Sequence, residues 1–272
     1  TNKQLYNVFN ERGMVTVTED HSLLTSRCQE IKPTDCTMYT SLLYSYPKEF
    51  FVSILEISKD AAYAIGLALK YKLWHNTSFT INTLYMNSIK NGFKEYFPNC
   101  ELNSTTIDNL VVFTIDDIPE INGIPDCILN ASKTIIISFL AGYLYACKED
   151  FHIRASSSLE CAGFYYILKK VDYIVNIIDE TTLYISDELY PQPLSVLPVK
   201  PKNNSDYVYD LQTELGCFQA GIGQTIVKNT DSIFIEMKYN RDDTTLNRYT
   251  TFDVAGICAN KLTKDVFNRK PI

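Results

Sequence analysis

Two short, glycine-punctuated stretches with the alternation of β-strands sit near opposite ends of this chain. The first, MVTVTEDHSLL (14–24), alternates apolar and polar residues into a turn, and Gly13 supplies a hairpin signal just before it. The second, YVYDLQTELGCFQAGIGQTIVKN (207–229), reads as short strands with Gly216, Gly221 and Gly223 at turns. Neither stretch is large enough to bury a core alone. The economical reading is one β domain whose two parts flank an inserted domain, and hence an α+β chain.

The intervening block, 48–200, mixes helix and strand patterns. Asp60 is placed to cap a helix carrying Ala61, Ala64, Ile65, Ala68 and Leu69. Ile81, Leu84, Tyr85, Ile89, Phe93, Tyr96 and Phe97 follow helical spacing until Pro98. LVVFTI (110–115) reads as a strand, 132–148 as a buried helix and 159–171 as a further helix. YIVNII and TTLYIS then read as a strand pair joined at Asp179–Glu180. Helix-then-strands recurs, which hints at internal duplication. PQPLSVLPVKPKNNSD (191–206) holds four prolines and reads as an exposed linker.

Composition removes several classes. The 272 residues carry 25 Lys and Arg against 32 Asp and Glu, a net charge of −7, so a DNA site would need a local basic face. The longest apolar run, Ile135 to Cys147, is thirteen residues, too short for a membrane helix. The first residues, TNKQLYNVFNERG, have no apolar signal region, so the chain reads as soluble and intracellular. None of the eight cysteines forms a CxxC pair and there are three histidines (His21, His75, His152), which argues against a zinc site. Gly216 and Gly221 have the first spacing of a phosphate loop, but no Gly-Lys-Ser/Thr follows. The chain starts at Thr1 and ends in NRKPI, and reads as a piece of a longer frame.

Two small motifs carry chemistry. Thr18-Glu19-Asp20-His21 sets a hydroxyl and an imidazole three residues apart at a strand end. Asn229-Thr230 pairs an amide able to attack its own carbonyl with a hydroxyl able to accept an acyl group.

Together these segments resemble an intein, a protein-splicing element. VYDLQTELGCFQAGIGQTIVKN followed by TDSIFIEM is similar to the C-terminal end of inteins set within the YGDTDS motif of family B DNA polymerases. VTVTEDHSLL resembles the intein block with a Thr-x-x-His motif. DAAYAIGLALKYK, IPDCILNASKTIIISFLAGYLYACKED and LECAGFYYILKKVDYIVNI resemble a LAGLIDADG homing endonuclease, and the phrasing is similar to polymerase inteins of large double-stranded DNA viruses. The resemblance covers Val15 to about Ile272. It implies a truncated all-β Hint splicing domain (1–47 and 201–229) interrupted by an αββαββα LAGLIDADG-like domain (48–200), with 230–272 a downstream polymerase extein. For a viral chain it implies the host cytoplasm, nucleus or viral factory.

The resemblance implies roles for particular residues. Thr18 and His21 would strain and protonate the upstream splice-site peptide. Asp210 would help activate the downstream nucleophile, Asn229 would cyclise, and Thr230 would be the transesterification nucleophile. Asp231 would ligate metal only in the spliced polymerase. Splicing itself would need no cofactor.

Several departures follow. The residue before the terminal Asn is usually His and is Lys228 in this chain; Cys217 and Gln219 stand where a late-block His often lies. The first intein block, with its Cys or Ser nucleophile, is missing, so a separate N-terminal segment becomes a partner and only cleavage after Asn229 remains open to this chain. In the endonuclease motifs Tyr71 and Cys147 stand where Mg²⁺-binding acids belong, and Ser158 stands where a lysine is expected. Glu149 and Asp150 lie just past the second motif, but no acid occurs between Ala61 and Tyr85. The expectation is a degenerate nuclease fold with weak or lost binding to the polymerase-gene insertion site. The alternatives are a working Mg²⁺-dependent endonuclease and a non-catalytic DNA-binding remnant.

Overall fold

The computed structural model describes residues 3–45, 50–75, 78–145, 151–199, 211 and 213–228. Within them lie several small antiparallel sheets and five α-helices, a mixed α and β chain. No described helix is long and apolar enough to cross a membrane.

Strands β1 (Leu5–Asn10) and β2 (Gly13–Thr18) form a hairpin turned at Asn10, whose side-chain oxygen accepts the Arg12 and Gly13 N–H groups. Val15 and Val17 are buried while Thr16 is exposed, as the alternation predicts. Short strands β3 (Leu23–Leu24) and β4 (Glu30–Ile31) follow.

Helix α1 (Lys59–Tyr71) starts at Ser58, not at Asp60. Ser58 is extended and its side chain accepts from the Ala61 N–H, while Asp60 sits inside the first turn, where a carboxylate suits the helix dipole. The helix expected from Ile81 is also corrected. Strand β5 (Ser78–Asn82) comes first, with Phe79 and Ile81 buried on one face, and helix α2 begins only at Met86 (Met86–Tyr96). Asn82 accepts from the Leu84 N–H and opens a 3-10 turn that leaves Leu84 exposed. Strands β6 (Glu101–Ile107) and β7 (Leu110–Asp116) then form a hairpin, with β7 between β5 and β6.

A short helix α3 (Asp126–Leu129) leads to α4 (Lys133–Leu144), strand β8 (His152–Arg154), α5 (Ser158–Lys170), and strands β9 (Ile174–Ile177) and β10 (Thr182–Ser186). The β9–β10 hairpin turns at Asp179, as its sequence predicts. Its sheet order, β8-β10-β9, repeats the order β5-β7-β6. The inserted block therefore contains helix-strand-helix-strand-strand twice, in place of the expected αββαββα order, because one strand separates the helices of each half. The hint of duplication is real at the level of topology.

The two halves meet where α1 packs on α4. A Cβ on Gly66 would overlap the Phe139 carbonyl oxygen, and one on Gly142 would overlap that of Tyr63. Each helix thus presents the residue three before its own glycine to the glycine of the other. The halves are related through this contact, and the same offset carries Tyr71 onto Cys147.

The stretch read as a linker is also corrected. Ser195–Val199 forms strand β11 and pairs with β1 as the edge of its sheet. Pro198 lies opposite Tyr6; it lacks an N–H, which an edge strand tolerates. Strands β12 (Cys217–Gln219), β13 (Ile222–Gly223) and β14 (Ile226–Lys228) then return to the beginning of the chain. β13 pairs with β2, and β14 inserts between β12 and β3. Gly221 and Gly223 have positive φ, and side chains there would strike the backbone of 12–15.

Replacing Gly142 with alanine should destabilise the chain by about 1–3 kcal/mol, since two helix backbones must separate to admit one methyl. Urea unfolding of Gly142→Ala against the parent measures this; an unchanged midpoint would show that α1 and α4 do not pack so closely.

Candidate functional site

The sheet β12-β14-β3-β4 brings distant parts of the sequence together. Thr18 ends β2 and is buried; His21 follows the turn and is also buried. The His21 N–H donates to the Thr18 carbonyl at 3.1 Å, closing a tight turn that holds the two residues side by side. Within that turn the Thr18 hydroxyl donates to Asp20 Oδ1 at 2.8 Å, and Lys3 Nζ reaches Asp20 Oδ2. Lys3 first and Thr18 second hold the Asp20 carboxyl below its ordinary value.

Strand β14 is laid against this turn. Val227 pairs with Leu23, and the Lys228 N–H donates to the Ser22 carbonyl at 3.1 Å. On its other side Lys228 lies in register with Cys217. Lys228 Nζ forms an ion pair with Glu30 Oε1 at 2.7 Å, and the Ser22 hydroxyl donates to Glu30 Oε2 at 3.3 Å. Lys228 is the main cause of a lowered pKa at Glu30.

The structure therefore unites Thr18, His21 and Lys228. Asp210, Asn229, Thr230 and Asp231 lie outside the described residues. Lys228 is the residue immediately before Asn229 in sequence, and the ladder sets Lys228 beside the His21 turn. Asp20, Ser22 and Glu30 complete the arrangement and were not singled out from the sequence. Glu30 and Lys228 are 198 residues apart, so no spacing rule connects them. Of the late-block substitutes, Gln219 Nε2 donates to the Gly223 carbonyl at 2.5 Å, and the Cys217 backbone is bracketed by the Thr213 hydroxyl. Cys217 takes a structural part in the turn leading into β12, and Gln219 in the turn between β12 and β13.

The second region flagged by sequence is the end of the α1–α4 pair. Tyr71 is the last residue of α1, and its ring stacks on Phe79 at 5.7 Å. Tyr63, Tyr85 and Tyr145 gather nearby, with Tyr63 stacked on Tyr85 and Tyr85 edge-on to Tyr145. Burial, then the neighbouring phenols, push the Tyr63 hydroxyl up. Ser158 opens α5, whose cap is Ser157. Cys147, Glu149 and Asp150 lie outside the described residues. A Mg²⁺ ion needs hard oxygen ligands, and a neutral phenol packed on a phenylalanine is a poor one; the α1 end does not fit that ion. Among the described residues no group of three or more His, Cys, Asp or Glu is placed to hold a metal.

The six strands of the two sheets in the inserted block contain one arginine, Arg154, no lysine, and the acids Glu101 and Asp116. Lys and Arg supply the positive charge of most phosphate contacts, and these strands carry one such residue. A cleft of about 550 Å³, lined by Gly123, Ile124, Leu159 and Tyr166 among others, includes none of the predicted site residues.

No protein-family model matches the chain. It is related in sequence to a DNA polymerase of Acanthamoeba polyphaga mimivirus, 30% identical over 288 aligned positions. The match covers 86% of this chain and 16% of that polymerase, so the chain spans about one sixth of the length of the curated relative it matches.

The Lys3–Asp20–Thr18 contacts generate a pH prediction. A carboxyl whose folded pKa is lowered stabilises the fold above its unfolded value, and that contribution is lost as pH falls through the folded value. Because Asp20 is largely exposed, solvent limits the ion pair to about 0.2–1 kcal/mol. Asp20→Asn should be less stable than the parent at pH 7, and the difference should shrink as the pH falls below the ordinary aspartate range and the Asp20 carboxyl takes up its proton, read by urea unfolding along an acid series.

Proposed function

We propose that this chain is part of an intein-containing viral DNA polymerase and that its β sheets assemble a splicing site. The observation that carries this reading is the Lys228 N–H to Ser22 hydrogen bond, which sets the residue before Asn229 beside the Thr18–His21 turn. Hydrogen-bonded strands from near both ends of the described chain are what a split splicing domain requires. The extent of the polymerase match supports it too. Residues 230–272 are 43 of the 272, so a match over 86% of the chain must include most of what precedes Thr230. The aligned stretch therefore runs through most of the proposed intervening segment.

The chemistry at the junction is a cyclisation. The Asn229 side-chain nitrogen attacks the Asn229 carbonyl carbon, forming a five-membered succinimide. The bond from that carbon to the Thr230 nitrogen breaks. A proton lost by the attacking amide is balanced by one gained at the departing amine, so no outside reactant is consumed. Lys228 can donate a hydrogen bond to the carbonyl oxygen as negative charge develops there, which a histidine does in most inteins. Asp210 assists Thr230, and His21 with Thr18 acts on the upstream junction. Asp231 becomes a metal ligand only after splicing restores the polymerase motif.

The inserted block is a homing-endonuclease fold without its chemistry. Tyr71 at one helix end and the sparse positive charge of the six strands support loss of both cutting and DNA binding.

Incubating the purified chain should release a peptide beginning at Thr230. The remaining fragment should be lighter by one water than a hydrolysed product, as mass spectrometry reads directly. Asn229→Ala should abolish the release. Release undiminished in Asn229→Ala, or no release from the parent, would sink this reading.

A further inference from the structure

Around one end of the β8-β10-β9 sheet, Phe151, Tyr173, Tyr184 and Tyr190 surround a hollow of about 360 Å³ whose lining also includes Asp187 and Glu188. Its volume lies in the range of small-ligand sites. The rings are open to water: Phe151 is 66% exposed, Tyr173 45% and Tyr190 40%. Tyr184 contacts both His152, with ring centroids 4.6 Å apart, and Tyr190, stacked on it at 5.8 Å.

The walls are fixed by the fold. The buried Asn176 amide donates to the Ser186 hydroxyl at 2.6 Å and to the Glu188 carbonyl at 3.0 Å. Its oxygen accepts the Tyr190 N–H at 2.7 Å. The Ile185 N–H donates to the Phe151 carbonyl at 3.0 Å. One buried side chain thus pins the 186–190 turn that presents Glu188 and Tyr190, and walls held in place lose little entropy on binding.

Charge decides what such a hollow takes. Among the described residues its lining contains no lysine or arginine, and neither Asp187 nor Glu188 has an ion-pair partner. Lys169 donates to the Tyr173 carbonyl at 3.4 Å but is not part of the lining. The Tyr184 hydrogen bond first, and among weaker causes the charges of Glu188 and Asp187, push the Tyr190 hydroxyl up. Aromatic faces are partly negative and the two carboxylates repel phosphate, so the hollow favours a cation over a nucleic-acid backbone. Among cations, an alkylated ammonium is the one that aromatic walls suit.

We propose that this hollow is a docking site for a methylated lysine side chain on a partner protein, its ammonium set against the aromatic rings and balanced by Asp187 and Glu188. The occupant is a side chain and not a free amine because Phe151 stands two-thirds exposed at the rim, where residues flanking the lysine cover it. The site is independent of the splicing chemistry.

The test is a titration of the isotope-labelled full chain with a short trimethyllysine peptide, followed by amide NMR shifts. Shifts should centre on 186–190, with the unmodified lysine peptide about fivefold weaker and the neutral carbon isostere of trimethyllysine about tenfold weaker. Tyr190→Leu should weaken binding by about fivefold, while Tyr190→Phe, which keeps the ring, should stay within about twofold of the parent. Asp187→Asn combined with Glu188→Gln should weaken binding by about threefold and remove most of its salt dependence. These side chains are exposed, and the rest of each spectrum shows that the variant is folded. Equal binding of the neutral isostere would reduce the hollow to an apolar patch and overturn the proposal. Equal shifts from tetramethylammonium chloride alone, shifts from a DNA duplex in place of the peptide, or no shifts at 186–190 would overturn it as well.

Discussion

Everything in the β part of this structure depends on residues 217–228 finding residues 13–31 across most of the chain. β13 on β2 and β14 on β3 are very short ladders, two and one paired residues in register. Such pairing is weak alone and must overcome the entropy of closing a long loop. It becomes affordable because the intervening segment is compact and brings its own ends near one another. Residues 42–45 tighten the closure: Ile226 N–H donates to Leu43, and Ser45 N–H to the Gln224 carbonyl. These strands are thus joined by long-range hydrogen bonds whose geometry the intervening segment makes possible.

The inserted block contributes more than proximity. Val8, Val15, Val17, Leu23, Leu42, Leu194 and Val227 are the whole buried apolar cluster of the β part among the described residues, a small core. Met14 and Ile222, paired across β2 and β13, belong instead to the core built by α4, α5 and the β8-β10-β9 sheet. Gly223 fits beneath the Ile177 side chain at the same seam. The two parts therefore share apolar burial, and removing the inserted block would expose Met14 and Ile222 as well as lengthen the search for β14. The small β part is therefore held together in part by apolar burial that the intervening segment supplies.

What could be read from sequence divides along physical lines. The β2 alternation, the β9–β10 hairpin and the helices at 133–144 and 158–170 were legible because their patterns are local and strong. The Ile81 to Phe97 reading failed at its start because apolar residues at 81, 84 and 85 satisfy helical spacing, while Phe79 and Ile81 satisfy strand alternation equally well. Burial decides between these, and burial is tertiary. β11 was missed because Pro198 within it, and the prolines on either side, argue against a strand unless it lies at an edge, and edge position is not written locally. Thr18 and His21 could be found because they share a turn. Glu30 could not, since its partner lies beyond the entire inserted block.

The helix pair shows why a fold and its chemistry can part company. Gly66 and Gly142 answer a packing demand, and any side chain there forces two backbones apart, at about 1–3 kcal/mol. The residue at a helix end answers a different demand. It lies where the chain leaves the core, and substitutions at such places shift stability by about 0.5 kcal/mol or less when no special contact is lost. Tyr71 at the end of α1 goes further, stacking on Phe79 and so adding to the packing that a carboxylate would have interrupted. The α1–α4 contact does not depend on the residue at that helix end, whereas a side chain in place of Gly66 would force its two halves apart. The glycines of this helix pair are therefore fixed by packing, whereas the residue at the helix end is not, wherever the surrounding β sheets need that core to hold them together.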